Sequence, residues 1–441
     1  MSAPAASPAA PALRRTLGPL MLWGLGVGYV ISGEYFGWNL GLPVGGTYGM
    51  LAATLVVTVM YVAFVLSYAE LACAIPRAGG GFDYALRALG PVPGLLAGLF
   101  QVIEFLFAPP AIAFAIGAYL RTWLPGVPVE LFALAAYVAF TALNVSGVRQ
   151  AAAFELLVTV LAVAELLLFM AVTGPSFRLA NVTRDALPHG WGGAFAALPF
   201  AIWFYLAIEG VANAAEEARR PQRDVSVGFG AAIATLVLLA LGVFFCAVGV
   251  AGWPAVVYPT PGAAASDSPL PLAMAHAVAP GSALYGLLVG VGLLGLVASF
   301  HGILLAAGRA TMELGRAGFA PVALGRVSAR TGTPAIALCA NGAVGVAAIF
   351  TGRTADIITL SCFGAVSLYV ISMMALFALR RRAPELARPF RVPGYPVTPA
   401  IALALAVVCL GALVWYNRVI ALLFAGLVAC GLGFHWLRRR R

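Results

Sequence analysis

Long apolar runs separated by short breaks rich in Arg, Gly and Pro set the pattern of this chain. A membrane-spanning helix needs about 20 apolar residues, and windows of that length run at roughly 18–42, 47–72, 92–120, 129–146, 151–173, 194–214, 225–252, 283–308, 334–351, 355–379, 397–416 and 418–437. The pattern predicts an all-α integral membrane protein of twelve transmembrane helices. Composition agrees: 62% of residues are hydrophobic, 10% are charged, and the mean hydropathy is +0.98, outside the soluble range.

The polar breaks orient the chain. It contains no lysine, and of its 26 basic residues only Arg121, Arg178, Arg184, Arg353 and Arg418 fall in outer segments if the N-terminus is inside. That bias predicts cytoplasmic N- and C-termini in the cytoplasmic (inner) membrane. The opening "MSAPAASPAAPALRR" lacks the features of a cleaved signal and is expected to be retained, with residues 1–17 a disordered cytoplasmic segment and 438–441 a cytoplasmic tail. The net charge of +10 is absorbed by orientation and anionic lipid headgroups, so membrane lipids are expected partners and nucleic acid is not. The six cysteines lack paired spacing; no disulfide, metal or cofactor is expected.

Two windows are interrupted. "GVGYVISGEYFGWNLGL" in the first carries Gly26, Gly28, Gly33 and Gly37 around Glu34; "FAIWFYLAIEGVANAAEEARRPQRD" in the sixth places Glu209 and Gly210 deep in the span. Unwound backbone at membrane depth survives only where protein buries it or a cavity needs it, and transporters set such breaks at matching positions of two repeats. Windows one and six match if 18–173 forms one five-helix repeat and 194–379 a second, leaving 397–437 as two extra helices. For Gly18 and Gly24 the plainer account is close helix packing; packing alone needs no acid at position 34.

The first window resembles the G-x-G-x-x-x-G-S-G-x-F-G pattern of the amino acid, polyamine and organocation transporters at Gly26, Gly28, Ser32, Gly33, Glu34, Phe36 and Gly37. The stretches "ELACAIPRAGGGFDYALRALG", "IEGVANAAEEARRPQRDV" and "RPFRVPGYPVTP" extend the resemblance over nearly the whole chain. Within that superfamily, "YVISGEYFGWNLGLP" and "SFHGILLAAGRATMELGRAGFAP" look most like the ethanolamine permeases. The resemblance implies a leucine-transporter-like fold, an inverted five-plus-five repeat with helices one and six broken, and alternating access around a substrate at mid-membrane.

In amino acid carriers of this superfamily the glycine-rich break presents backbone N–H groups to the substrate carboxylate; here the last glycine of that triplet is Glu34. Two carboxylates about 4 Å apart at an effective dielectric near 20 repel by about 4 kcal/mol, so the replacement favours an amine without an acid group. The plain alternative is that Glu34 caps its half-helix. Glu104, in "FQVIEFLFAPP", resembles the acid of cationic amino acid carriers and is a second site candidate, able to hold a proton or pair with His301; a bond to a neighbouring helix is the alternative. Glu209 matches the family's G-F-E position and reads as a tie for the broken sixth helix. Trp203 and Phe204 are the gate candidates, with an aromatic face suited to an ammonium. Tyr29, Ser32, Gly33, Ala207, Ser299 and His301 complete the substrate-binding candidates, with Ser32, Ser299 and His301 as hydrogen-bond partners for an alcohol.

Coupling is less determined. Many proton-linked relatives carry a lysine in helix five, and the matching position here is Ala162; Glu165, Glu104 and His301 are the coupling candidates, for a proton or sodium. The expected function is a secondary active or facilitated carrier of ethanolamine or a similar small amine, with an amino acid or polyamine permease as the alternative. An enzyme is not expected, since His189, His276, His301 and His435 are far apart and no H-E-x-x-H or G-x-S-x-G occurs.

Overall fold

The computed structural model describes residues 15–147 and 152–439, so most of the expected disordered N-terminus and the end of the C-terminal tail lie outside the described residues. Among these residues nine helices are long and apolar enough to cross a membrane. Three of the twelve predicted windows do not appear as a single long helix. The first comprises α1 (Pro19–Val30), α2 (Ser32–Tyr35) and a 3-10 turn at Trp38–Gly41. The sixth has α8 (Leu198–Trp203) and α9 (Gly210–Asn213), with non-helical turns between. The ninth, α12 (Ala335–Ile349), is an unbroken but shorter apolar helix.

The remaining spans are α3 (Leu42–Ala74), α5 (Pro91–Arg121), α6 (Val129–Ser146), α7 (Ala152–Thr173), α10 (Pro221–Ala251), α11 (Ala283–Arg316), α13 (Thr354–Arg382), α14 (Val397–Tyr416) and α15 (Arg418–Arg439). The expected separation of the first two windows is a turn inside α3: Gly46 has φ 62°, open to glycine at little steric cost, and lies against the carbonyl of Ala186. A short amphipathic helix, α4 (Gly81–Leu89), leads into α5.

Close helix crossings put the core at the two broken windows. α13 packs on α5 where a β-carbon at Gly364 would come within 2.6 Å of the Phe100 carbonyl and 2.7 Å of the Glu104 amide. At the N-terminal end of the bundle, Glu70 on α3 accepts from Arg380 Nε (2.7 Å) and Nη2 (2.6 Å) and from the Val392 amide (2.8 Å), with Arg388 Nε at 3.4 Å. Arg388 also donates to the carbonyls of Leu379 and Ala383 at the end of α13, which in addition accept the amides of Ala383 and Leu386. The "RPFRVPGYPVTP" stretch is thus a clamp joining α3, α13 and the entry to α14. On the same end, the amides of Thr16 and Leu17 donate to the Glu217 carbonyl (2.9 and 3.0 Å) and Arg219 N donates to Leu17 O (2.8 Å), tying the start of α1 to the end of the broken sixth window.

Candidate functional site

The two breaks abut. Gly33 faces the Trp203 carbonyl and Gly37, at φ 90°, faces the Trp203 indole, each too closely for a β-carbon. Phe36 meets Trp203 edge-on at 5.4 Å, and Trp38 stacks on Phe204 at 5.7 Å and 15°. Both gate candidates are buried, packed on the first break. Backbone groups released by unwinding find partners, as burial requires. The Ser299 hydroxyl reaches the Tyr29 carbonyl (2.7 Å) and the Ser32 hydroxyl (2.8 Å). Tyr119 OH donates to the Tyr35 carbonyl (3.1 Å), Trp38 Nε1 to the Glu34 carbonyl (3.2 Å), and Gly37 N to Asn39 Oδ1 (3.1 Å).

Two side chains at this break lack a hydrogen-bond partner, Trp203 at Nε1 and Glu34 at both carboxyl oxygens. Glu34 is 0% exposed, yet neither Oε1 nor Oε2 accepts a hydrogen bond. The capping alternative keeps only a charge–dipole attraction: Glu34 lies in the first turn of α2, but its oxygens meet no amide and the start of α2 has no side-chain cap. An ionised carboxylate in such surroundings needs a cation or donors to offset several kcal/mol of lost hydration.

The second break carries its own acid pair. Ala207 sits at φ 75°, a conformation non-glycine residues rarely adopt, and its amide donates to Glu104 Oε1 at 3.2 Å. The Glu104 carbonyl accepts from Ser361 Oγ (2.7 Å), so this acid joins α5, α13 and the sixth window. Glu209 Oε2 accepts from Tyr369 OH (2.8 Å), which meets Tyr61 OH at 3.2 Å. Glu104 Oε2 and Glu209 Oε1 are buried without a hydrogen-bond partner.

The structure thus brings together Tyr29, Ser32, Gly33, Glu34, Trp203, Phe204 and Ser299 along the first break, and Glu104, Ala207 and Glu209 along the second. His301 is placed elsewhere. Its ring packs against Phe140 on α6 at 6.0 Å, because residues 299 and 301 point to different sides of α11; it neither pairs with Glu104 nor faces the break. Glu165 lies beside the site and accepts from Tyr35 OH at 2.7 Å, the same hydroxyl lying 3.0 Å from the Ala162 carbonyl. Tyr35 and Tyr119, which finish the first break, were not among the predicted residues; adjacency to Glu34 was the only signal for Tyr35. Glu155, a buried acid on α7, was also missed.

Comparison with known proteins agrees with this architecture. The sequence model described as "Amino acid permease" matches residues 17–428. An uncharacterized transporter of Rhizobium meliloti is 29% identical across 97% of this chain and 92% of its own length. A branched-chain amino acid permease of Bacillus subtilis is 25% identical (94% and 92%), and a methylthioribose transporter of the same species 26% identical (97% and 94%). These relatives are transporters and permeases, not enzymes. This integral membrane chain belongs to the amino acid permease family of transporters.

Proposed function

We propose that this permease carries a small primary amine, with ethanolamine as the representative substrate, by alternating access across the cytoplasmic (inner) membrane. The observation that carries the reading is Glu34: a buried carboxylate without a hydrogen-bond partner, in the break where the superfamily pattern has a glycine. An ammonium supplies both charge and N–H donors to it. A substrate carboxylate in the same place meets repulsion. Trp203 and Phe204 serve as the gate, and their movement off the first break admits the substrate. The breaks in windows one and six support two five-helix repeats with α14 and α15 as additions, and the arginine bias supports cytoplasmic termini. A cation also enters down the membrane potential, worth about 2.3 kcal/mol per charge per 100 mV.

The family description and the branched-chain permease relative favour the second reading, an amino acid carrier. Uptake of radiolabelled ethanolamine into proteoliposomes, with unlabelled ethanolamine, choline, alanine and putrescine as competitors, separates the two. Self-competition with little effect of alanine is expected. Strong competition by alanine with none by unlabelled ethanolamine contradicts the proposal, and dominance of putrescine points to a polyamine.

A further inference from the structure

Glu155 on α7 is 7% exposed, and its Oε1 has no hydrogen-bond partner. That oxygen points into a narrow gap between three helices. A β-carbon on Gly28 of α1 would lie 3.0 Å from it, and one on Gly302 of α11 would lie 3.9 Å away. One turn along α7, Thr159 Oγ1 donates to the Gly24 carbonyl of α1 at 3.1 Å, so the acid sits beside the contact that fastens the first half of the broken helix to α7. The Tyr29 ring fills the adjoining space between Gly302 and Gly210.

Groups around the gap leave the acid unpaired among the described residues. α1 contributes Tyr29; α11 contributes Arg309, which pairs with Glu217 beyond α9 at 3.9 Å, and His301, which faces Phe140. On α10 the titratable groups nearest the N-terminal end are Arg223 and Asp224, the latter held by Arg220 at 3.5 Å. No ion pair among the described residues includes Glu155. Oxygens for a metal are few: hard cations such as calcium and magnesium take about six, whereas side chains at this gap offer the Glu155 carboxyl and the Thr159 hydroxyl.

We propose that Glu155 is a proton-binding site whose occupancy is linked to the closure of α1 on α7. A proton joins the carboxylate to give the neutral acid, which stays in the narrow gap without the penalty of an unpaired charge. Separation of α1 from α7 hydrates the acid, and the proton leaves to the solution on the N-terminal side. By linkage, a proton that binds the closed contact better than the open one favours closure in equal measure. This assigns a coupling role to α7, the fifth predicted window, in a chain without lysine; it rests on the transporter reading and not on the choice of ethanolamine.

The test uses the full chain in lipid nanodiscs. Infrared difference spectra between acid and alkaline pH should contain a protonated-carboxyl C=O band that Glu155→Gln lacks and Glu155→Asp keeps at a shifted position. In proteoliposomes an inward pH gradient should stimulate ethanolamine uptake by the wild type several-fold, whereas Glu155→Gln should show no stimulation and still exchange ethanolamine across the membrane. The same infrared band in Glu155→Gln, or equal stimulation of both proteins, overturns the proposal. Failure of the wild type to take up ethanolamine overturns the substrate instead, and the infrared comparison, which needs no substrate, then decides on Glu155.

Discussion

Gly33 packs its bare Cα against the backbone carbonyl of Trp203, so the two broken segments meet without a side chain between them. Substitution by alanine forces a methyl group into that contact. Overpacking of this kind costs about 1–3 kcal/mol, and it acts at the contact that the proposed gate would open. Gly33→Ala should therefore fold with a lowered melting temperature and lose most uptake. Thermal unfolding in detergent and proteoliposome uptake measure the two effects, and full activity would show that the breaks do not need this close approach.

The Glu70 clamp is a stability feature remote from the site. Its removal leaves Arg380 and Arg388 without their shared carboxylate, although Arg388 keeps its carbonyl partners. Breaking a buried pair of this type costs about 3–5 kcal/mol. Glu70→Ala should lower melting temperature and yield sharply, while ligand affinity of the folded fraction stays near that of the wild type. A selective loss of affinity at normal stability would contradict a purely structural role.

Outside the spans, Asp267 accepts a hydrogen bond from Thr354 Oγ1 at 3.0 Å, and burial pushes its carboxyl up to about 7. The folded state thus holds the proton more tightly than the unfolded one. That contribution to stability is complete below the unfolded carboxylate range, near pH 4, and is lost as pH rises through about 7. Hydrogen exchange in the segment around 259–268 should accelerate between those limits. Asp267→Asn, which keeps an acceptor but no longer titrates, should flatten the dependence; an unchanged profile would place its origin elsewhere.

Much of this architecture was legible because hydrocarbon imposes a simple demand. Apolar runs of spanning length located the helices, and an acid among glycines located the first break. The second was harder: Glu209 and Gly210 marked its end, but the left-handed residue is Ala207, for which sequence offers no signal. His301 shows another limit. Its depth in the span could be read, but the side it presents depends on how α11 is rotated against α6 and α1. Likewise, Tyr369 reaches Glu209, and Glu155 faces Gly28 and Gly302, across distances in sequence that no local pattern encodes.

The central claim is that Glu34 pairs with the ammonium group of the substrate. Equilibrium dissociation constants for ethanolamine and alanine, measured on the purified wild type and on Glu34→Gln at the same pH, test it most directly. Loss of a charge-assisted hydrogen bond is worth about 1.5–3 kcal/mol, roughly a 10- to 150-fold weakening. The account predicts that weakening for ethanolamine, with alanine binding poorly to the wild type and no worse to the variant. Unchanged ethanolamine affinity in Glu34→Gln, or tighter binding of alanine than of ethanolamine by the wild type, would contradict it.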